Sequence, residues 1–355
     1  MADGKLIDFI EQVSGGSHLR VEENLGNGFV RLRSEEAERR QAKHDIRQVE
    51  DIIIEMLRNA RDAKATTVYI ATTKEGDVRT LTVIDDGEGI PPQLHERIFE
   101  PRVTSKLETM LEDEWGVHGR GMALFSIKSN VTRARVLSSD AGLGSALALE
   151  VDTGLLPEKT DQSTFPLVEK DDEGKLRVAK GPHNILRAAL EFALAYRKAP
   201  DVYLGSPSAI AATLLEQGQK RLTSDDLLFC DDTDTLPISQ RLAVCADAAD
   251  LMHNCSRIGL DISERTAHRI LSGQITPLAS LAEMARGERN RKAAADLMKD
   301  SRGLKLAKED VEAFSREMER AFEMLAERYY LSMTDTPRVT VKGDTITVRF
   351  PIEKE

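Results

Sequence analysis

Cysteine is scarce in this chain. Its 355 residues hold three, Cys230, Cys245 and Cys255, with no Cys-x-x-Cys spacing. An odd, sparse set excludes a disulfide framework, argues against structural zinc and fits a reducing compartment. Long apolar runs are missing too: none approaches the ~18 to 20 residues that a membrane-spanning helix needs. The opening Met1-Ala-Asp-Gly-Lys-Leu-Ile has neither the basic nor the apolar region of a signal peptide. A cytoplasmic protein without a membrane partner is expected. Net positive charge is absent, with 49 Lys and Arg against 60 Asp and Glu, a net of -11. That excludes a general nucleic-acid coat but leaves room for local DNA contacts. There is no internal repeat and no low-complexity tract. What remains is an ordinary soluble composition, 41% hydrophobic and 31% charged, in a chain long enough for two domains with separate cores.

The pattern along the chain divides it. Residues 1–28 read as an irregular, Gly-rich segment, and Phe29–Arg33 as a short strand. Ser34 precedes a possible helix start, and Val49, Ile52, Ile53, Met56, Leu57 and Ala60 fall at helical spacing, giving a helix to about Asp62. Thr66–Thr73 and Val78–Ile84 form a hairpin pattern. Pro91 and Pro92 open a short helix to about Phe99. Residues 100–118 read as a loop, Met122–Asn130 as a helix, and Thr132–Leu137 and Ser145–Val151 as two strands. This order is not the alternation of a parallel sheet. It predicts an α+β fold: a two-layer sandwich over 29–152, with a mixed sheet and helices on one face. Residues 153–181, polar with Pro157 and Gly174, read as a linker. Residues 182–330 read as a mainly helical domain, and 331–355 as a β-hairpin centred on Gly343-Asp344.

Four motifs carry chemistry. In Glu55-Met-Leu-Arg-Asn59-Ala-Arg-Asp62-Ala63 the acid, the amide and the second acid share one helix face. Around a hydrated Mg²⁺, Asn59 supplies a neutral oxygen and Glu55 can orient or deprotonate an attacking water. The same spacing also suits a solvated polar face. In Asp85-Asp-Gly87-Glu-Gly89-Ile90, a carboxylate at a strand end can accept from an exocyclic amine such as that of adenine, with glycines allowing close approach. A plain tight turn fits equally. In Gly116-Val117-His118-Gly119-Arg120-Gly121, ahead of a helix start at Met122, free amides form a phosphate site. The spacing is not that of a P-loop. Thr104, Ser105 and Lys106 lie just before it; Lys106 reads either as a terminal-phosphate ligand or as a surface lysine. Gly142-Leu-Gly144-Ser145 is the fourth.

In order, spacing and element type the four motifs resemble the Bergerat-type ATP-binding fold of the GHKL superfamily, shared by gyrase, heat-shock chaperones, histidine kinases and MutL. The resemblance covers about residues 29–152. It implies ATP under a flexible lid at about 100–120, Asp85 on adenine, Asn59 on Mg²⁺ and Glu55 as general base. Ser145 stands where the superfamily usually has threonine, which keeps the hydroxyl. Glutamate at 55 resembles the hydrolysing branches rather than the histidine kinases. His44-Asp-Ile-Arg47 is similar to a phospho-acceptor box but sits eleven residues before Glu55, as a helix-surface histidine would.

The lid and phosphate loop, Val103-Thr-Ser-Lys-Leu107 with Gly119–Ile127, look like those of MutL. Asn254–Gly259 with Ser263–Leu271 resembles the helix-two-turns-helix segment of the B-type, ATP-binding subunit of topoisomerase VI (about 250–300), although only a helix at about 308–330 and the last hairpin stand where that family has a full transducer. The resemblance implies an ATP-hydrolysing switch of the topoisomerase VI type, acting on DNA with a DNA-cleaving partner subunit, and ATP-dependent homodimerisation. The alternatives are a MutL-like or chaperone-like ATPase with protein partners, and a histidine kinase-like ATP-binding regulator. Arg286, Arg289, Arg291 and Lys292 form a basic cluster flanked by acids, read as a phosphate-contacting surface or a mixed-charge helix.

Overall fold

A computed structural model describes residues 21–34, 36–105, 111–113, 116–118, 121–195, 200–222, 232–287, 308–329, 331–342 and 345–354. Packing divides the chain into two compact units, 1–298 and 299–355. The stretch 153–181, expected as a linker, lies inside the first.

The first unit opens with β1 (Val21–Gly26) and β2 (Phe29–Leu32), an antiparallel pair. Residues 21–26 were expected to be irregular. The Asn27-Gly28 turn explains the strand: both residues take positive φ, 52° and 81°, as the tightest hairpin turns require. Helices α1 (Glu36–Asp45) and α2 (Val49–Asp62) follow, then β3 (Thr67–Glu75) and β4 (Val78–Asp85). The region expected as a helix from Pro91 to Phe99 is two 3₁₀ turns, 92–94 and 97–99. The expected loop at 100–118 contains β5 (Val103–Thr104), which pairs with β2, and a short ladder of β6 (Leu111–Asp113) with β7 (Gly116–His118). Next come α3 (Ala123–Asn130), β8 (Arg133–Ser139), β9 (Ser145–Asp152), the hairpin β10 (Leu167–Lys170) and β11 (Leu176–Lys180), α4 (Ile185–Ala195), β12 (Asp201–Gly205) and α5 (Pro207–Arg221). After a 3₁₀ segment at 238–244 the unit continues with α6 (Ala248–Arg257), α7 (Glu264–Leu271) and α8 (Leu281–Arg286).

The main sheet has five strands in the order β12-β3-β4-β9-β8, mixed because β12 runs parallel to β3 while the other pairs are antiparallel. The expected α+β class and mixed sheet are observed, and the helices of 29–152 that pack on the sheet lie on one face; helices from beyond residue 152 add a layer on the other. Both faces are buried. Val68, Ile70, Leu81, Val83, Leu147 and Leu149 point into one core with α2 and α4. Their neighbours Tyr69, Ala71, Ile84 and Ala146 point into a second core with α5, α6 and α7. Period-two alternation forces this division, and strands apolar on both faces need a layer on each. The region expected as a separate helical domain therefore supplies the second layer and, through β12, an edge strand.

The second unit holds α9 (Lys308–Tyr329) and two ladders: β13 (Leu331–Met333) with β16 (Ile352–Lys354), and β14 (Arg338–Lys342) with β15 (Thr345–Arg349). Phe322 stacks on Phe350 at 5.1 Å. Among the described residues no helix is long and apolar enough to cross a membrane.

Candidate functional site

Helix α2 has two sides. Val49, Ile52, Ile53, Met56, Leu57 and Ala60 are buried in the core. Its polar side forms a wall of a cavity of about 750 Å³. Glu55, Asn59 and Asp62 stand on that wall. The Nδ2 of Asn59 is buried with no hydrogen-bond partner among the described residues. A buried amide without a partner is costly unless a ligand completes it. Two acids on the wall are paired along the helix: Arg58 Nη1 donates to Glu55 Oε1 at 2.5 Å, and Arg61 Nη2 to Asp62 Oδ1 at 3.1 Å.

The opposite wall comes from the sheet. Strand register sets Asp85 opposite Ser145, and the Ser145 hydroxyl donates to Asp85 Oδ2 at 2.5 Å. The Gly87 amide donates to Asp85 Oδ1 at 2.9 Å. Burial pushes the Asp85 carboxyl above the ordinary carboxylate range, with those two bonds pulling against it. Asp86 turns to the other face. It accepts from the Thr66 and Thr67 amides, the Thr66 hydroxyl and Arg221 of α5. Burial pushes its carboxyl up, but these donors outweigh that and hold it below the ordinary range. Adjacent acids thus serve opposite faces, one toward the cavity and one tying the second layer to the sheet.

The glycines beside Asp85 answer a nearer constraint than a ligand. A Cβ on Gly89 (φ 72°) would lie 1.9 Å from Asp140 O, and one on Gly144 (φ 81°) 2.2 Å from Asp85 O. The 86–90 and 140–144 turns pack backbone against backbone, with Gly142 N donating to Glu88 O at 2.7 Å. Ser139 locks this contact, its hydroxyl accepting from Ile90 N and donating to Gly144 O.

The cavity also takes Gly89, Ile90, Thr104, Ser105, Gly121, Met122 and Ser145. Gly87 is in place behind Asp85. Gly116, Val117 and His118 form β7 rather than a turn at a helix start. Lys106, Gly119 and Arg120 lie outside the described residues, as do Arg289, Arg291 and Lys292 of the basic cluster; Arg286 ends α8. Met122 caps α3 with no side-chain hydrogen bond, so the first amides of that helix are available at the cavity edge. The clamp beneath it is built from backbone: Arg102 N donates to Gly121 O at 2.8 Å, and Leu32 N to Arg102 O at 3.0 Å.

Residues that sequence reasoning passed over also line the cavity: Arg58, and Gln41, Asp45 and Arg47 around the end of α1. Helix α1 is held there by Ser126, which donates to Ala42 O, and by Asn130, which donates to Lys43 O at 3.0 Å. Arg58 was legible in principle, three residues from Glu55 and next to Asn59. Nothing in the pattern of α1 pointed to the cavity. His44 is exposed on α1, as a surface histidine would be.

Among the described residues no three His, Cys, Asp or Glu side chains form a metal cluster. The Asn59 amide oxygen beside the Glu55 and Asp62 carboxylates fits Mg²⁺ retained chiefly by water and by a phosphate ligand, and the partnerless Asn59 Nδ2 calls for an acceptor such as a phosphate oxygen.

Residues 44–152 match the family described as histidine kinase-, DNA gyrase B-, and HSP90-like ATPase. Over 104 residues the chain is 38% identical to the DNA mismatch repair protein MutL of Thiobacillus denitrificans, covering 29% of this chain and 17% of that protein. It is 32% identical over 133 residues to MutL of Aquifex pyrophilus (36% and 30%), and 33% over 141 residues to Mlh1 of Dictyostelium discoideum (38% and 16%). The matches span less than a third of each relative's length. The 44–152 segment is an ATP-binding domain of the GHKL superfamily with distant MutL and Mlh1 homologues.

Proposed function

We propose that this chain is an ATP-hydrolysing conformational switch of the MutL-like kind. The observation that supports it most is one cavity that gathers Glu55 and Asn59 from a helix and Asp85 and Ser145 from two paired strands. In this reading the adenine amino group donates to Asp85, which Ser145 and the Gly87 amide hold in place. The first amides of α3 bind phosphate oxygens. Asn59 would hold Mg²⁺, which when bound neutralises polyphosphate charge. Glu55 accepts a proton from a water whose oxygen attacks the terminal phosphorus; the bond from that phosphorus to the bridging oxygen breaks, and ADP leaves with the electron pair.

The relatives carry mismatch-repair names, which favours this reading over the topoisomerase VI-like one. DNA and a protein partner, with ATP-dependent self-association, are what we propose the switch acts through. Equilibrium binding tests this. ATP should bind in the presence of Mg²⁺, and a non-hydrolysable analogue should strengthen binding to duplex DNA in a salt-sensitive way. ATP binding without any analogue effect on DNA would instead favour protein partners alone.

A further inference from the structure

We propose that Arg58 is a positioning residue for Glu55, fixing the carboxylate that handles the attacking water; this rests on the hydrolytic reading above. The two side chains lie three residues apart on α2, and both line the cavity. Arg58 Nη1 donates to Glu55 Oε1 at 2.5 Å, with side-chain exposures of 5% and 21%. A guanidinium this buried is costly unless its charge is met.

Stability alone does not account for the pair. A buried ion pair is commonly no more stabilising than apolar residues of the same volume. The core stripe of α2 is complete without it, running through Ile52, Ile53, Met56 and Leu57 on the other side. On the cavity wall the pair does two things. It ties one oxygen of a side chain with three rotatable bonds, which a base needs if it is to meet water in one geometry. It also offsets the negative charge that Glu55 would present to a polyphosphate. Arg61 does the same for Asp62, bonding Oδ1 through Nε and Nη2 at 3.2 and 3.1 Å. The opposite role, in which Arg58 parks Glu55 away from the water, makes the opposite kinetic forecast.

The test is steady-state phosphate release and ATP binding for the full chain, Arg58→Met, Arg58→Lys, Glu55→Gln and the double variant Glu55→Gln/Arg58→Met, with thermal melting as the folding control. Arg58→Met should lower kcat between ~10- and ~100-fold, with a smaller rise in KM and the ATP dissociation constant from the Glu55 charge left unpaired. Arg58→Lys, which keeps the charge but not the fork, should fall between that variant and the parent. The double variant should be no slower than Glu55→Gln alone, because Arg58 acts through Glu55. Faster or unchanged turnover in Arg58→Met overturns the proposal, and so do losses that multiply in the double variant. If Arg58→Met does not fold, parent-like turnover in Arg58→Lys overturns it. A parent chain that binds ATP and releases no phosphate overturns the hydrolytic reading and this proposal together; a parent that turns over while the Arg58 variants match it overturns only the proposal.

Discussion

At the residue scale, Asp85 and Asp86 are neighbours with opposed energetics. Asp85 is buried toward the cavity and its carboxyl is raised, so its charged form penalises the empty fold. Protonating it favours folding at acid pH, and that gain is lost as pH rises through its raised value. Asp85→Asn should therefore leave the melting temperature unchanged or higher at neutral pH while ATP binding disappears; calorimetric titration and thermal melting check both halves. Asp86 has the reverse sign. Its lowered carboxyl contributes stability above the ordinary carboxylate range, which is lost as pH falls through its folded value. Removing it leaves the Thr66 and Thr67 amides without this acceptor and takes the ion pair from Arg221, which keeps its bond to the Thr67 hydroxyl, so Asp86→Ala should cost about 3 kcal/mol in urea unfolding at pH 7. The cost should shrink at acid pH. A variant as stable as the parent at pH 7 would remove Asp86 from its structural role. Asp86 carried no sign of this role in the sequence, because Arg221 lies 135 residues away and register alone joins them.

At the element scale, the segment after β9 is the instructive case. Its polar composition reads as a linker, yet its polar groups are the joints. Gln162 is fully buried, donating to Glu50 Oε1 at 2.6 Å and to Lys159 O, and accepting from Ile185 N. Asn184, also fully buried, donates to the carbonyls of Asp161 and Thr164. The N-termini of α2 and α4 are thus tied together through one strap. Arg79, with no exposure, pairs with Glu158 at 2.7 Å and anchors the same strap to the distal end of the β3–β4 hairpin. Burial raises the Glu158 carboxyl, but Arg79 and Lys74 outweigh that and hold it low. Gln162→Ala takes a partner from Lys159 O and Ile185 N and one of two donors from Glu50 Oε1, and a loss of about 2 to 4 kcal/mol is expected from chemical denaturation. A change below ~0.5 kcal/mol would make the strap incidental. Amphipathic period alone revealed α2, and runs rich in strand-forming residues revealed β3, β4 and β9. Polarity says how a residue prefers to be solvated, not whether a buried partner awaits it, and so Glu158 and Gln162, in a stretch whose other polar residues are mostly exposed, read as solvent-facing when they are not.

At the scale of the whole first unit, the sheet decides what is one body. The nucleotide motifs end at Ser145, and their order pointed to the candidate cavity. What the order did not carry is that β12 joins β3 in parallel and that α5, α6 and α7 cover the second face. Ala71, Ala146 and Tyr69 hold that information as strand residues apolar on both faces, and it becomes legible only once their layer partners are known. A fragment ending at residue 152 leaves the edge of β3 open and the second core exposed. It should be insoluble or dye-binding, whereas a fragment extending to residue 287 should fold cooperatively; a cooperative, monomeric 21–152 fragment would contradict the two-faced packing.

The central claim is that the cavity hydrolyses ATP with Glu55 as its base, and the most direct measurement is Mg²⁺-dependent phosphate release by the parent and by Glu55→Gln, alongside ATP binding by each. The proposed role of Glu55 predicts that both proteins bind ATP and that Glu55→Gln loses turnover by ~10²- to 10⁴-fold. Parent-like phosphate release from Glu55→Gln, or a parent that binds no ATP, would contradict it.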